Sequence, residues 1–150
     1  MTPRRWPPIP LPDSQAHLDG VMLFDGVCVL CSRMVRFVAA RDRDARFRFA
    51  SVQEPPGRDI AVQFGIDPEA PESMAVVLDG QAMFKSDAAL AILVRLPRWR
   101  WVGVFRHVPT VWRDWAYDRI ARNRYRLFGR TEFCLMPSPD LARRFLRPVP

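Results

Sequence analysis

The sequence predicts an α/β fold, a mixed sheet of about four strands flanked by helices, with a helical C-terminal extension. Three observations carry this. A continuous apolar run, Val21 to Phe24, gives way near Cys28 to apolar residues at helical spacing. Further on, Met74 to Leu78 and Ala82 to Phe84 flank an Asp79-Gly80 turn signal. After Pro97 the composition shifts, and four of the five tryptophans fall within the 17 residues from Trp99 to Trp115.

Each element follows from local chemistry. Residues 1–19 hold Pro3, Pro7, Pro8, Pro10 and Pro12, which lack backbone donors and fix φ, so a flexible, extended lead-in is expected. Residues 20–98 form the main domain. Val21-Met22-Leu23-Phe24 reads as a strand buried on both faces, closed by the Asp25-Gly26 turn. Leu30, Cys31, Met34, Val35 and Val38 then lie on one side of a helix ending near Ala40. Phe47 to Val52 is a second strand, broken by Pro55-Pro56-Gly57, and Asp59 to Phe64 a short helix stopped by Gly65. The hairpin follows, and Ser86-Asp87 caps a helix reaching Leu96, before Pro97. The first two strands, joined by a helix, should be parallel; the last two should be antiparallel.

Residues 99–150 are expected as a helical extension packed on that domain. Val108, Val111, Trp112, Trp115 and Ile120 share one side of a helix beginning near Pro109, with Gly129 as its stop. A tryptophan stripe at helical spacing is expected to pack onto the sheet domain. A turn and a short final helix are expected around Phe133 to Pro137 and Leu141 to Leu146.

Composition excludes several classes. With 49% hydrophobic residues the chain is not globally disordered, and three cysteines do not make a disulfide scaffold. The longest apolar run, Ala88 to Val94, is seven residues, against the roughly 20 that span a bilayer. Met1 to Pro12 lacks the apolar centre of a signal peptide. A cytoplasmic protein, not integral to a membrane, is expected. The net charge of +7 divides into −2 over residues 1–90 and +9 over residues 91–150. Of the 23 basic residues 22 are arginine, a bias that GC-rich coding also produces. Nucleic acid is therefore disfavoured as a partner, and peripheral membrane contact stays open.

Cys28-Val29-Leu30-Cys31 is the sharpest chemical signal. A CxxC pair is a redox couple, half of a zinc site or coincidence. Position favours the redox couple. Cys28 falls at a helix N-terminus, where unpaired N–H groups and the dipole lower a thiol pKa. Cys31 lies one turn on, within reach of the first sulfur. Zinc needs two more ligands, and Cys134, His17 and His107 are scattered. Cys28 is expected to be the exposed, low-pKa sulfur and Cys31 the shielded one.

The segment Leu23-Phe24-Asp25-Gly26-Val27-Cys28-Val29-Leu30-Cys31 resembles the DxxCxxC signature of the DCC family of thiol–disulfide oxidoreductases. The likeness continues through Ser73 to Leu78, Ser86-Asp87-Ala88, Tyr125 to Arg130 and Cys134. It implies a thioredoxin-like fold and a reaction type, thiol–disulfide exchange, but no substrate; the expected reaction is exchange between a Cys28–Cys31 dithiol or disulfide and a protein or small thiol partner. That reaction needs no cofactor beyond the cysteine pair, and the scattered candidate ligands leave no metal expected. Asp25 either accepts the proton that Cys31 loses, as the buried aspartate of thioredoxins does, or only makes the turn and caps the helix. Thioredoxin-like enzymes place a proline directly before the third strand; here Pro71 is followed by Glu72 and Ser73. Substrate binding is expected at Gly26, Val27, Glu72 and Ser73, with Pro71 filling the proline's role at an offset or Glu72-Ser73 replacing it. Cys134 is a buried core thiol or a third redox partner. The alternatives are a basic, tryptophan-rich module docking on nucleic acid or an anionic membrane surface, and a degenerate scaffold with an inaccessible dithiol.

Overall fold

Strand β2 (Val21–Phe24) is buried along its whole length, and its side chains alternate between two apolar clusters. Val21 and Leu23 join Val52, Ile60 and Phe64 on one face of the sheet; Met22 and Phe24 join Val35, Val38 and Phe49 on the other. Covered on both sides, the strand has no polar face, which is why the sequence shows a run and no alternation. The structure is a computed structural model and describes residues 8–26, 28–44, 46–53, 56–69, 71, 73–129 and 144.

Around β2 the sheet is mixed. Strand β3 (Arg48–Ser51) pairs with it in parallel, Met22 opposite Phe49. Strand β4 (Ala75–Leu78) flanks its other side antiparallel, Met22 opposite Val76. Strand β5 (Gln81–Phe84) returns from β4 through Asp79 and Gly80, whose φ values of 54° and 77° give the doubly left-handed turn that suits a tight hairpin. The order β5-β4-β2-β3 is the thioredoxin-like arrangement that the sequence resemblance implied.

A fifth strand adds to the four expected. Ile9–Pro10, β1, pairs antiparallel with β5 at the sheet edge, where a proline without an N–H does no harm. The chain then makes a 3-10 helix, Asp13–Leu18, which buries Leu18. The described part of the proline-rich lead-in is thus tied to the domain.

Helices α1 (Val29–Arg41) and α3 (Lys85–Leu93) cover the Met22 face; α2 (Gly57–Gln63) covers the Val21 face. After a second 3-10 helix, Arg100–His107, helix α4 (Thr110–Phe128) lies against α1 and α3. Its docking face is polar. Lys85 Nζ sits 2.8 Å from Asp118, Arg113 3.0 Å from Asp87, the Ser86 hydroxyl donates to Asp114, and Tyr117 Oη accepts the Met74 N–H at 2.9 Å.

The expectation that the tryptophan stripe packs on the sheet is therefore wrong. Trp112 and Trp115 are 69% and 63% exposed, and Val111 and Ile120 also face solvent. Turning that side inward would bury apolar residues at the cost of four polar contacts. Those contacts instead satisfy groups at the start of α3 and, at Met74, just before β4 that burial would otherwise leave without water. Trp99 is the exception: its ring meets the edge of Phe37 at 5.3 Å, beside the core. Val27, Glu72, Cys134 and the expected final helix, apart from Arg144, lie outside the described residues.

Candidate active site

The two cysteines occupy the first turn of α1. Cys28 is its N-cap, with extended backbone (φ −88°, ψ 122°), and its Sγ accepts the Cys31 N–H at 3.4 Å. The hydrogen bond from the Cys31 side chain is the largest influence on Cys28. Although burial opposes it, the Cys31 N–H and the Arg124 guanidinium add to it, and the thiol falls from 9.0 to about 6. Cys31 moves the opposite way. Giving its hydrogen bond to Cys28, and burial, push its thiol well above the ordinary range. At neutral pH the pair is one thiolate and one thiol.

The expected order of acidity therefore holds, and the expected order of exposure does not. Cys28 is fully buried, whereas Cys31 is partly exposed. The end of α4 lies against the start of α1, where the Val29 N–H donates to the Gly129 carbonyl at 3.4 Å. The opening on this side of the dithiol lies beside Cys31 instead. A cavity of about 110 Å³ opens beside it, lined by Leu30, Met34, Pro71, Ser73, Met74 and Tyr117 among others.

Asp25, at the end of β2, is buried and takes part in a network that spans the chain. Its Oδ1 accepts Gln53 Nε2 at 2.7 Å; its Oδ2 accepts Arg124 Nη2 at 3.1 Å and the Tyr125 hydroxyl. Burial, together with donating this hydrogen bond, pushes the Tyr125 phenol up. Arg124 Nη2 also donates to the Pro71 carbonyl at 2.7 Å, and so ties the loop before β4 to the dithiol. Burial raises the Tyr117 phenol to about 12, keeping it a neutral wall of the cavity.

Gly26 and Ser73 now have structural reasons for their identity. A Cβ on Gly26 would fall 2.6 Å from Ser51 Oγ, and its N–H donates to Gln53 Oε1 at 2.8 Å. Ser73 lines the cavity, but its hydroxyl accepts the Lys85 N–H at 2.9 Å and donates to the Met74 carbonyl at 2.6 Å. Pro71 and Ser73 both reach the cavity beside Cys31, and Pro71 is also held through its carbonyl by Arg124.

Gln53, Tyr117, Arg124 and Tyr125 were missed as site residues. Arg124 stands 99 residues from Asp25, with no local pattern linking them. The available signal was physical: an acid closing a strand as apolar as β2 needs donors, and the C-terminal segment is rich in them. Among the described residues no group of three or more His, Cys, Asp and Glu side chains is placed to hold a metal ion.

Residues 22–130 match the model of the DCC1-like thiol-disulfide oxidoreductase family. The chain belongs to this family. Relatives of the DCC1-like chain include the uncharacterized protein YuxK of Bacillus subtilis (strain 168), 39% identical over 127 residues, covering 84% of this chain and 93% of the relative. A DCC family protein of Arabidopsis thaliana, named as chloroplastic, is 35% identical over 116 residues, covering 76% of this chain and 67% of the relative. No solved structure matches the chain. Membership supports a thiol–disulfide oxidoreductase role and lends nothing to the reading of a binding module that replaces it. Among the described residues no helix is long and apolar enough to cross a membrane.

Proposed function

We propose that the chain is a cytoplasmic thiol–disulfide oxidoreductase whose catalytic residues are Cys28 and Cys31, acting on protein or small thiol partners without a further cofactor. The observation that carries this is the split pair: an acidified Cys28 hydrogen-bonded to a Cys31 whose thiol keeps its proton. The Cys28 thiolate attacks one sulfur of a substrate disulfide, forming a mixed disulfide and expelling the other sulfur as a thiolate. With the charge on Cys28 consumed, the Cys31 hydrogen bond loses its acceptor, and the expelled thiolate takes the Cys31 proton. The Cys31 thiolate then attacks Cys28 sulfur, releasing the second substrate thiolate to be protonated by water. Two electrons pass to the substrate and the pair ends as a disulfide.

Asp25 acts as a positioning residue in this scheme. Its oxygens are already engaged by Gln53, Arg124 and Tyr125, which favours holding Arg124 near Cys28 over collecting a proton from Cys31. Substrate is expected to enter along the cavity beside Cys31, past Ser73 and Pro71. Trapping tests the scheme. A Cys31→Ser chain should accumulate a mixed disulfide through Cys28 with its partner. A chain that captures nothing, or that captures partners only through a cysteine other than Cys28, sinks it.

A further inference from the structure

Helix α4 is amphipathic the wrong way round for a helix that only packs. Its aspartates, Asp114 and Asp118, both point inward, to Ser86 and Lys85. Its outward face carries Arg119, Arg122 and Arg126 with Trp112, Trp115 and Leu127, all exposed, and no acidic residue. Arg119 lies over the Trp115 ring, 5.2 Å from its centre.

We propose that this face docks the protein on an anionic lipid surface, at headgroup depth and without spanning the bilayer. Charge complementarity is the first argument: the face is purely cationic because the fold has turned every acid of the helix away from it. Arginine binds phosphate oxygens in a two-pronged manner, and tryptophan settles at the membrane–water interface. The aliphatic residues decide between phosphate-bearing partners. Val111, Ile120 and Leu127 are 61%, 53% and 67% exposed on or beside the face. They cannot stack on bases, as a nucleic-acid surface would require, but they partition into the headgroup–acyl boundary. Ile120 also lines the cavity beside Cys31, so the docked face and the cavity share a rim. The docking does not depend on the thiol chemistry.

The test is co-sedimentation of the full chain with vesicles, read together with tryptophan emission. Vesicles of phosphatidylcholine containing one third phosphatidylglycerol should bind the protein at low salt and shift its emission to shorter wavelength; phosphatidylcholine alone should not. Replacing Arg119, Arg122 and Arg126 together by Gln should weaken binding on the order of a hundredfold, since each basic residue near such a surface contributes about fivefold. Trp112→Ser with Trp115→Ser should remove most of the emission shift. Neither set touches the inward polar layer. Equal binding to both vesicles, wild-type binding by the Arg variant, tighter binding to an oligonucleotide than to vesicles, or self-association lost in the Trp variant would each overturn the proposal.

Discussion

Arg124 Nη2 lies 3.1 Å from Asp25 Oδ2, across 99 residues of sequence, with the arginine side chain 12% and the aspartate 4% exposed. An ion pair this enclosed is costly to break on one side only. Its position beside the dithiol makes it an electrostatic control on Cys28, whose acidity Arg124 increases and Asp25 decreases.

Opposite shifts are expected from the two partners. Arg124→Met should raise the Cys28 thiol from about 6 towards its ordinary value and slow its alkylation at pH 7 several-fold. Asp25→Asn should leave Cys28 at least as acidic, because a charge that opposes the thiolate is gone while an amide oxygen can still accept the Arg124 hydrogen bond and hold it in place. If Asp25 were instead the proton acceptor for Cys31, the same variant would slow resolution on the order of 10²-fold and pile up the mixed disulfide. The pH profile of alkylation and single-turnover kinetics separate the two.

In the reduced protein, thiolate content and not exposure should set the labelling order. Iodoacetamide is expected at Cys28 with a rate that levels off above about pH 6, although Cys31 is the more accessible sulfur. Peptide mass spectrometry after brief labelling at pH 7 checks this. Labelling that begins at Cys31 would reverse the assignment.

Linkage predicts a stability profile. The folded Cys28 thiol sits below its unfolded value of 9.0, at about 6, so its contribution is complete above pH 9 and is lost as pH falls through 6. Urea titrations of the reduced chain should show stability rising from pH 6 to pH 9 relative to Cys28→Ser, by an amount on the order of a few kcal/mol. Cys31 adds no slope near pH 6 to 7, but opposes the rise close to pH 9, where the unfolded thiol ionises and the folded one keeps its proton. A flat difference would contradict the acidified thiol.

Lys85 and Asp118 form a bridge with side chains 5% and 17% exposed. Asp118→Ala removes the carboxylate facing a buried ammonium and should cost about 3 kcal/mol. Lys85→Met combined with Asp118→Leu should recover most of it, as measured by denaturant midpoint. An Asp118→Ala chain as stable as wild type would show that the bridge does not anchor α4.

Two glycines should behave differently. A Cβ at Gly80 meets no atom within 4 Å, so Gly80→Ala should cost only the left-handed backbone, about 1 kcal/mol, with unchanged thiol reactivity. Gly26→Ala should displace Ser51 or Gln53 and alter the Cys28 pH profile as well as the melt.

What the sequence made legible was local. The run Val21 to Phe24 needed covered faces on both sides, Asp79-Gly80 could only turn, and Cys28 stood where a strand yields to a helix. The direction in which α4 faces was not legible, because the usual rule sends tryptophan inward. Here Lys85, Ser86 and Asp87 at the start of α3 demanded polar partners, and Asp118, Asp114 and Arg113 supply them. β1 was missed because two residues, one of them a proline, leave no periodic trace. The partners of Asp25 were missed because the contact is made by tertiary packing alone.

That long-range contact also gives the chain an order of events. Synthesis delivers Cys28 and Cys31 early, but Arg124 and Tyr125 leave the ribosome about a hundred residues later. Until α4 docks, Asp25 lacks its guanidinium and phenol, and the cavity beside Cys31 lacks the Tyr117 wall. A chain at that stage can form the Cys31 hydrogen bonds to Cys28 within the first turn of α1, but lacks the guanidinium that adds to the acidity. Completion of the fold thus adds the long-range part of the site, Arg124, Tyr125 and the Tyr117 wall, to a dithiol that local geometry has already brought together.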